Sequence, residues 1–374
     1  MRELKFVCCV SDEPRFWWET RVYLNTLKKN GYINNADILI FTFEGKTLTE
    51  EWAKMKQEYP EANFFHYPDV DHITRLTQIF SYIPLFRPYI LKKHWEKFPE
   101  LNQKAIFYTD SDIIFLHPID FSPVLEDDVC YLSDTHTYLN SDYFDSKGSL
   151  YKDGLKKGTP IFVRSDKFEQ FKKRDILNET AKICNISREI CEKNRFNTGG
   201  AQYLLKNIDA AFWEEVMSAS MTIRLFLMDV NQQFMQGSSP IERENNGFQS
   251  FCADMWAVLW TLWGKNIPTR TPKELDFTWS TDEKSAHTRE NILHNAGITS
   301  DGKIRTRIKD QNLKNIEVEA PAFYKGAYIN KHPMADVHIL KEIISHPISS
   351  LYHTTTYVGE ILDTFKIINQ NAKS

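Results

Sequence analysis

Two aspartates, Asp110 and Asp112, interrupt an apolar run in the segment AIFYTDSDIIFLHPID, residues 105–120. A buried strand should not end on two unpaired carboxylates without a reason, because carrying an unpaired charge out of water costs several kcal/mol. With one residue between them, the two side chains of an extended segment point the same way. Two oxygen ligands on one side suit a small hard cation, Mg²⁺ or Mn²⁺, whose coordination is completed by water and substrate phosphates. The spacing therefore predicts a metal site, and a solvated turn carrying two acids is the alternative.

The segments before this acid pair alternate between strand and helix patterns. Short β-rich runs predict strands, and helical spacing with Gly31 as a stop and Pro84 and Pro88 as boundaries predicts the helices between them. Strand, helix, strand, helix, strand indicates an α/β fold with a mainly parallel sheet, whose ligands bind outside the carboxyl ends of the strands. The acid pair follows such an end. The predicted strands are residues 4–10, 36–43, 63–67 and 105–109, and the predicted helices are 16–32, 48–59 and 74–98.

Composition restricts the partners. A length of 374 residues predicts one large or two modest domains. The net charge of −4, from 46 basic and 50 acidic residues, provides no global positive field for nucleic acid or an anionic membrane, although a local basic groove stays possible. No apolar run is long enough for a signal peptide or a membrane span, which predicts a cytoplasmic protein. Six cysteines, none in C-x-x-C spacing, predict reduced and mostly buried thiols.

Over about residues 1–300 the chain resembles the metal-dependent glycosyltransferases of the GT-A fold. The most specific part is FYTDSDIIFLHP, where the family's D-x-D metal motif falls on Asp110 and Asp112. A cation there would neutralise a diphosphate leaving group as its glycosyl bond breaks. The resemblance implies a nucleoside diphosphate sugar as donor, a UDP-sugar first of all, and a hydroxyl-bearing acceptor.

Within that superfamily the layout is most similar to the peptidyl hydroxyproline arabinosyltransferase and peptidyl serine galactosyltransferase group, with related bacterial and phage proteins. The similar features are Arg87 and Pro88 before the motif strand, the acid-plus-aromatic helix FCADMWAVLW and the histidine strand NILHNAG. This resemblance implies transfer with retention of configuration.

The resemblance also implies a domain plan. Residues 1–300 form a GT-A catalytic domain, with a nucleotide-binding half at 1–118 and an acceptor half at 119–300. Residues 301–374 are a C-terminal extension and the expected place for acceptor specificity. Its basic segment 301–320 predicts an exposed strand or loop, and the tail after it predicts one or two helices that pack on the domain.

Two segments are expected near the reacting atoms. Asp254 opens a predicted helix, where the macrodipole favours an anion and the carboxylate could face the sugar or the acceptor hydroxyl. A purely stabilising charge at the helix terminus is the alternative. Asn197 precedes Gly199 and Gly200, which let the backbone approach a ligand at a predicted helix start. In the superfamily a similar Asn-x-Gly segment lines the donor sugar and acceptor site, and a plain turn is the alternative.

Further residues complete the predicted site. His294 follows a short predicted strand, and imidazole suits Mn²⁺ as a third ligand beside two carboxylates, with a structural histidine as the alternative. Lys325 is expected on the diphosphate or on the surface. Similar enzymes use an arginine on the nucleotide at the place of Arg87, and contact the base or ribose at the place of Asp12. The aromatic stripe Trp256, Trp260 and Trp263 indicates core packing rather than a sugar platform.

Two other functions stay open at this stage. A metal-dependent nucleotidyltransferase also uses an acid pair, but normally carries a Gly-rich, basic loop after the first strand, and VSDEPRFWW is not one. A non-catalytic sugar or nucleotide binder of the same fold would be expected to lose a metal ligand. A glycan, a peptide hydroxyl and a hydroxylated base in phage-type DNA each fit as acceptor, with the negative net charge a mild argument against the last.

Overall fold

The computed structural model describes residues 2–153, 167–235, 239, 243, 246–284, 291–296, 301–309 and 314–371. The strands are β1 Leu4–Ser11, β2 Ala36–Thr42, β3 Asn63–Pro68, β4 Ala105–Thr109, β5 Ile113–Phe115, β6 Cys130–Asp134, β7 Gly199–Leu205, β8 Thr269–Arg270, β9 Phe277–Trp279, β10 Ile292–His294, β11 Lys303–Lys309 and β12 Asn315–Pro321.

The helices lie on both faces of the sheet and in the C-terminal part. They are α1 Pro14–Lys29, α2 Glu50–Glu58, α3 Ile73–Ile79, α4 Phe86–Lys97, α5 Ser122–Leu125, α6 His136–Leu139, α7 Ser141–Asp153, α8 Phe168–Lys172, α9 Ile176–Ala181, α10 Arg188–Lys193, α11 Ala210–Phe234, α12 Ala253–Gly264, α13 Val337–Ser345 and α14 Thr354–Asn371.

The main sheet has the strand order β3-β2-β1-β4-β7-β6-β8 within the described residues. Strands β3, β2, β1 and β4 pair in parallel, and β7 runs antiparallel to both β4 and β6. The predicted α/β fold with a mainly parallel sheet flanked by helices is confirmed. Strands β1, β2 and β4 are buried almost throughout, because helices cover both faces of the sheet, and this explains their continuous apolar runs.

The N-terminal predictions hold to within a few residues. Gly31 has a φ of +80° and follows the end of α1, as its stop signal predicted. Pro84 lies in a short 3₁₀ turn between α3 and α4. Pro88 is not a boundary: it is the third residue of α4, where a missing N–H is tolerated because first-turn N–H groups have no partner within the helix.

Residues 199–205 form the central strand β7, so the helix start predicted at Gly199 and Gly200 is wrong. All seven residues of β7 are buried. A Cβ on Gly199 would lie 2.3 Å from the Ser133 carbonyl oxygen of β6, so this glycine permits close approach of two strands. A strand buried on both faces carries a continuous apolar run, which periodicity does not distinguish from a buried helix.

A second, three-stranded sheet has the order β5-β10-β9 among the described residues. Strand β5 begins directly after the acid pair and runs antiparallel to β10. In this register Ile113 is the partner of His294. The pairing therefore places His294 beside the residue that follows Asp112, although the two segments are about 180 residues apart in the sequence.

The C-terminal part packs against the start of the chain. Strands β11 and β12 form an exposed hairpin, as predicted for 301–320, and α13 and α14 confirm the predicted helices of the tail. Trp18 and Val22 of α1 share a buried apolar cluster with Tyr357 and Ile361 of α14. The predicted domain boundary follows residue 300, and residues 297–300 lie outside the described part of the chain.

The tryptophan stripe and the cysteines have the environments that the sequence predicts. Trp256, Trp260 and Trp263 are buried in the main core, which confirms the core interpretation of the aromatic stripe. All six cysteines are free, and Cys252 is the half-buried one. Across the described ranges, no helix combines the length and apolar character that a bilayer crossing requires.

Candidate functional site

A cleft of about 750 Å³ lies at the carboxyl end of β4. Its walls come from the end of β4, the start of β7, the first turns of α4 and α12, strand β10 and the turn that begins at Lys325. The sequence-predicted residues among those that line it are Arg87, Asp110, Asp112, Gly200, Asp254, His294 and Lys325.

The three predicted metal ligands come together in this cleft. One ligand atom from each of Asp110, Asp112 and His294 lies within 4.8 Å of the other two. Asp112 and His294 are buried, whereas the side chain of Asp110 is 28% exposed. Asp110 and Asp112 both line the cleft, where Ser111 and Asp112 form the turn between β4 and β5, and the Ser111 hydroxyl donates a 2.9 Å hydrogen bond to the buried Glu19.

The donor set fits a divalent cation. His294 Nε2 lies 3.2 Å from Asp112 Oδ1, yet this buried oxygen has no well-aligned hydrogen-bond donor among the described residues. A carboxylate oxygen and an imidazole nitrogen that face each other without a good hydrogen bond are suited to share a cation. Two carboxylates provide oxygen ligands for Mg²⁺ or Mn²⁺, and the imidazole favours Mn²⁺.

Two cationic side chains balance the acid pair. The Lys325 ammonium contacts the Asp112 carboxylate, and Arg87 Nη2 lies 3.0 Å from Asp110 Oδ1. Burial by itself would raise the pKa of Asp112, but Lys325 and His294 lower it well below its ordinary value. Asp112 is therefore ionised at neutral pH and available as a ligand.

Asp254 lines the same cleft, at the second position of α12. The Tyr82 hydroxyl accepts a 2.7 Å hydrogen bond from the Asp254 N–H and donates one of 3.0 Å to Asp254 Oδ1. Arg87 Nη1 lies 3.4 Å from Asp254 Oδ2, so this arginine bridges Asp254 and Asp110. Burial raises the pKa of Asp254, Arg87 opposes the rise and Asp110 adds to it. A carboxyl group with a raised pKa in a cleft is typical of acid–base chemistry.

Asp12 is outside the described lining of the cleft. Its carboxylate accepts hydrogen bonds from the Thr49 N–H at 2.8 Å, the Thr49 hydroxyl at 2.7 Å, Trp17 Nε1 at 2.9 Å and Trp52 Nε1 at 2.7 Å. These four donors fix the loop after β1 to the start of α2. All four donors belong to the fold, and a contact of Asp12 with the base or ribose stays a prediction.

Asn197 and Gly199 also lie outside the lining that the structure describes. The backbone carbonyl of Asn197 accepts a 2.9 Å hydrogen bond from the Thr269 hydroxyl. The backbone N–H of Asn197 donates one of 2.8 Å to the backbone carbonyl of Asn194. Gly199 packs against β6. Gly200 is the residue of this segment that lines the cleft. In the antiparallel pairing of β7 with β4, Gln202 lies opposite Thr109, so Gly200 extends past the end of β4.

Two site residues were missed by reasoning from the sequence. Gln202 in β7 is fully buried, and its amide nitrogen lies 3.2 Å from His294 Nδ1. Its signal was a single polar side chain inside the apolar run GGAQYLL. Tyr82 offered no comparable signal, because its contact with Asp254 joins segments that are 172 residues apart.

No protein-family profile matches this chain, and no curated protein sequence matches it significantly. Among solved structures, the bifunctional glycosyltransferase WbbM, in an apo structure, is similar at 10% identity and a TM-score of 0.38, over 79% of this chain and 46% of that one. This chain thus spans less than half of WbbM.

Mouse xyloside xylosyltransferase 1, also in its apo form, is similar at 8% identity and a TM-score of 0.38, over 79% of this chain and 98% of that one. Both TM-scores are below 0.5. The evidence for function therefore lies in the side chains of the cleft.

Proposed function

We propose that this protein is a glycosyltransferase that moves a sugar from a nucleoside diphosphate sugar to a hydroxyl acceptor. A UDP-sugar is the first candidate for the donor, and Mn²⁺ or Mg²⁺ would bind its diphosphate. The observation that carries the proposal is the convergence of Asp110, Asp112 and His294 within 4.8 Å, in a cleft at the carboxyl end of a parallel strand. Ligands of open α/β sheets bind at this edge.

The charges of the cleft suit a diphosphate. Asp110, Asp112 and His294 would hold the cation, which supplies positive charge to the leaving diphosphate when bound. Lys325 and Arg87 already lie on the two aspartates. Once the aspartates are neutralised by a cation, these two side chains have surplus positive charge to offer phosphate oxygens, Lys325 as a point charge and Arg87 as a planar donor.

Asp254 is the proposed catalytic carboxylate. It would accept the proton of the acceptor hydroxyl or stabilise developing positive charge on the sugar, and Tyr82 and Arg87 orient it. Gly200 would line the donor sugar site with its backbone, while the place of its missing Cβ is taken by the side chains of Leu139 and Met255. Asp12 and Asn197 have no role in this proposal, because neither belongs to the described lining of the cleft.

Two finer features of the proposal come from the resemblance seen in the sequence. Transfer proceeds with retention of configuration, as in the peptidyl hydroxyproline arabinosyltransferase and peptidyl serine galactosyltransferase group. Residues 1–300 act as the catalytic domain and 301–374 as an extension that helps to select a glycan or peptide acceptor. Lys325 makes that extension part of the site.

The test is incubation with a panel of nucleotide sugars and Mn²⁺. Slow hydrolysis should release a nucleoside diphosphate from one of them, and EDTA or the Asp112→Asn variant should abolish the release. Binding without release would instead indicate a non-catalytic binder. Release of pyrophosphate from a nucleoside triphosphate supplied with a sugar phosphate would indicate a nucleotidyltransferase.

A further inference from the structure

Gln202 holds the imidazole of His294 from the side opposite Asp112. The Gln202 amide nitrogen lies 3.2 Å from His294 Nδ1, and His294 Nε2 lies 3.2 Å from Asp112 Oδ1. Gln202 is 0% exposed and His294 5%, and His294 lines the cleft whereas Gln202 lies behind it, outside the described lining. The register of β7 places Gln202 opposite Thr109, the residue before Asp110.

The two ring nitrogens cannot have the same role when His294 binds a cation. A neutral imidazole carries one ring hydrogen, and ligation through Nε2 requires that hydrogen on Nδ1, where it needs an acceptor. With its amide nitrogen towards Nδ1, Gln202 donates to the ring and leaves the hydrogen on Nε2. Among the described residues, Gln202 is the hydrogen-bond partner of Nδ1.

We propose that Gln202 is the positioning residue that sets the tautomer of His294 for cation binding. A half-turn of the amide brings Oε1 to Nδ1, where it accepts the ring hydrogen and leaves the Nε2 lone pair directed at the cation. The two ends of an amide are nearly equal in size, so the turn needs no additional space. Oε1 has no hydrogen-bond partner among the described residues, so the turn breaks no bond at that oxygen.

Glutamine suits this place better than its neighbours in size. Leucine would fill the same volume but offer no acceptor. Glutamate would accept from Nδ1 but would add a buried negative charge near Asp112, which is costly before a cation binds. A carboxamide provides the acceptor without the charge. This inference rests on the proposed function, since it gives Gln202 a role at the cation site on which that function depends.

The experiment compares Mn²⁺ binding, without nucleotide, by the wild type, Gln202→Leu and Gln202→Glu, read from the free Mn²⁺ signal in electron paramagnetic resonance. Gln202→Leu should weaken Mn²⁺ binding by roughly 10–100-fold, the usual loss when a supporting partner of a metal-bound histidine is removed. Gln202→Glu should retain wild-type affinity or exceed it, because its carboxylate accepts from Nδ1–H.

Asn25→Leu is the matched control. It removes another buried carboxamide, whose amide nitrogen donates to Glu360 and Thr364 on α14, and should leave Mn²⁺ binding unchanged while lowering the melting temperature. In the wild type, addition of Zn²⁺, a diamagnetic ion that imidazole binds well, should move the His294 ring hydrogen to Nδ1 in long-range ¹⁵N–¹H spectra.

The outcomes separate this inference from the proposed function. A wild type that binds no Mn²⁺ would overturn the cation site and the inference with it. A wild type that binds Mn²⁺ while Gln202→Leu binds it equally well would overturn only the inference. Equal losses in Gln202→Leu and Gln202→Glu, or a His294 ring hydrogen that stays on Nε2 with Zn²⁺, would reduce Gln202 to a packing residue.

Discussion

Carboxylates follow two neighbouring strands of the sheet, and their partners differ in kind. Strands β1 and β4 pair in parallel; Asp12 follows the first, and Asp110 and Asp112 follow the second. Asp12 accepts four hydrogen bonds from neutral groups of Trp17, Thr49 and Trp52. The acid pair instead meets two cationic side chains and an imidazole.

The difference separates a carboxylate of the fold from a carboxylate of the site. Neutral N–H and O–H donors that belong to nearby helices stay in place whatever ligand is present, so Asp12 has little reason to exchange them. A cationic side chain can be replaced by a metal ion and can itself move to a phosphate. A charged ligand can therefore displace the cationic partners of the acid pair, whereas the neutral hydrogen-bond donors of Asp12 stay in place.

The largest effect is expected from Asp112→Asn. This variant keeps the shape but removes the buried charge, and Mn²⁺ binding should fall by more than the roughly 10–100-fold that loss of a supporting partner causes. Calorimetry with Mn²⁺ and UDP measures it. If Asp112→Asn and Asp110→Asn both bound Mn²⁺ and UDP as tightly as the wild type, the acid pair would be structural carboxylates like Asp12.

Asp254→Asn sharpens the comparison at the carboxylate that Arg87 links to Asp110. A carboxylate that acts on the reacting atoms contributes more in the transition state than in the ground state. Loss of its charge should therefore lower kcat and kcat/KM together, by roughly 10²–10⁴-fold, with donor affinity little changed.

The control for Asp254→Asn is Tyr82→Phe, which removes both hydrogen bonds between Tyr82 and Asp254 but leaves the Asp254 charge, and should have a smaller effect on turnover. Near-normal turnover of Asp254→Asn with a lower melting temperature would instead place Asp254 with Asp12, as a carboxylate that only stabilises a helix terminus.

Lys325→Met tests whether the balancing cation is exchangeable. Removal of the ammonium that contacts Asp112 should strengthen binding of Mn²⁺ alone and weaken binding of UDP in the presence of Mn²⁺. Each change should be roughly tenfold, equivalent to about 1.4 kcal/mol. Titration with and without UDP gives both values, and Lys325→Arg keeps the charge as a control. Changes of the same sign in both titrations would contradict an exchange between metal and lysine.

Asp12→Asn should have the smallest effect on the chemistry. Its loss of charge weakens four hydrogen bonds and should reduce the free energy of unfolding by roughly 1.5–3 kcal/mol, as for hydrogen bonds to charged groups. Urea unfolding measures this, and Mn²⁺ binding in the folded variant should match the wild type. A variant of full stability with weakened UDP binding would restore Asp12 to the nucleotide contact that its position after β1 first indicated.

Local pattern was enough for the elements and for the acid pair. Strands β1, β2 and β4 were predictable because a strand that is buried on both faces is a continuous apolar run. Turns and helices mark where each of these runs begins and ends. A shared direction of Asp110 and Asp112 was predicted from extended backbone; both do line the cleft, although Ser111 and Asp112 form the turn between β4 and β5. The residue type of His294 suggested a third ligand. These features depend on neighbours within a few positions.

The contacts that complete the site were decided by the tertiary structure. The pairing of β5 with β10 brings His294 to Asp112, and Lys325 reaches the same carboxylate from 213 positions away. The insertion of β7 beside β4 places Gln202 behind His294 in a segment whose apolar run looked helical. The engagement of Asp12 by two tryptophans and a threonine likewise depends on how α1 and α2 pack. Sequence pattern reports which residues favour burial or extension, whereas strand pairing and helix packing select which distant residues meet, because that choice depends on the whole core at once.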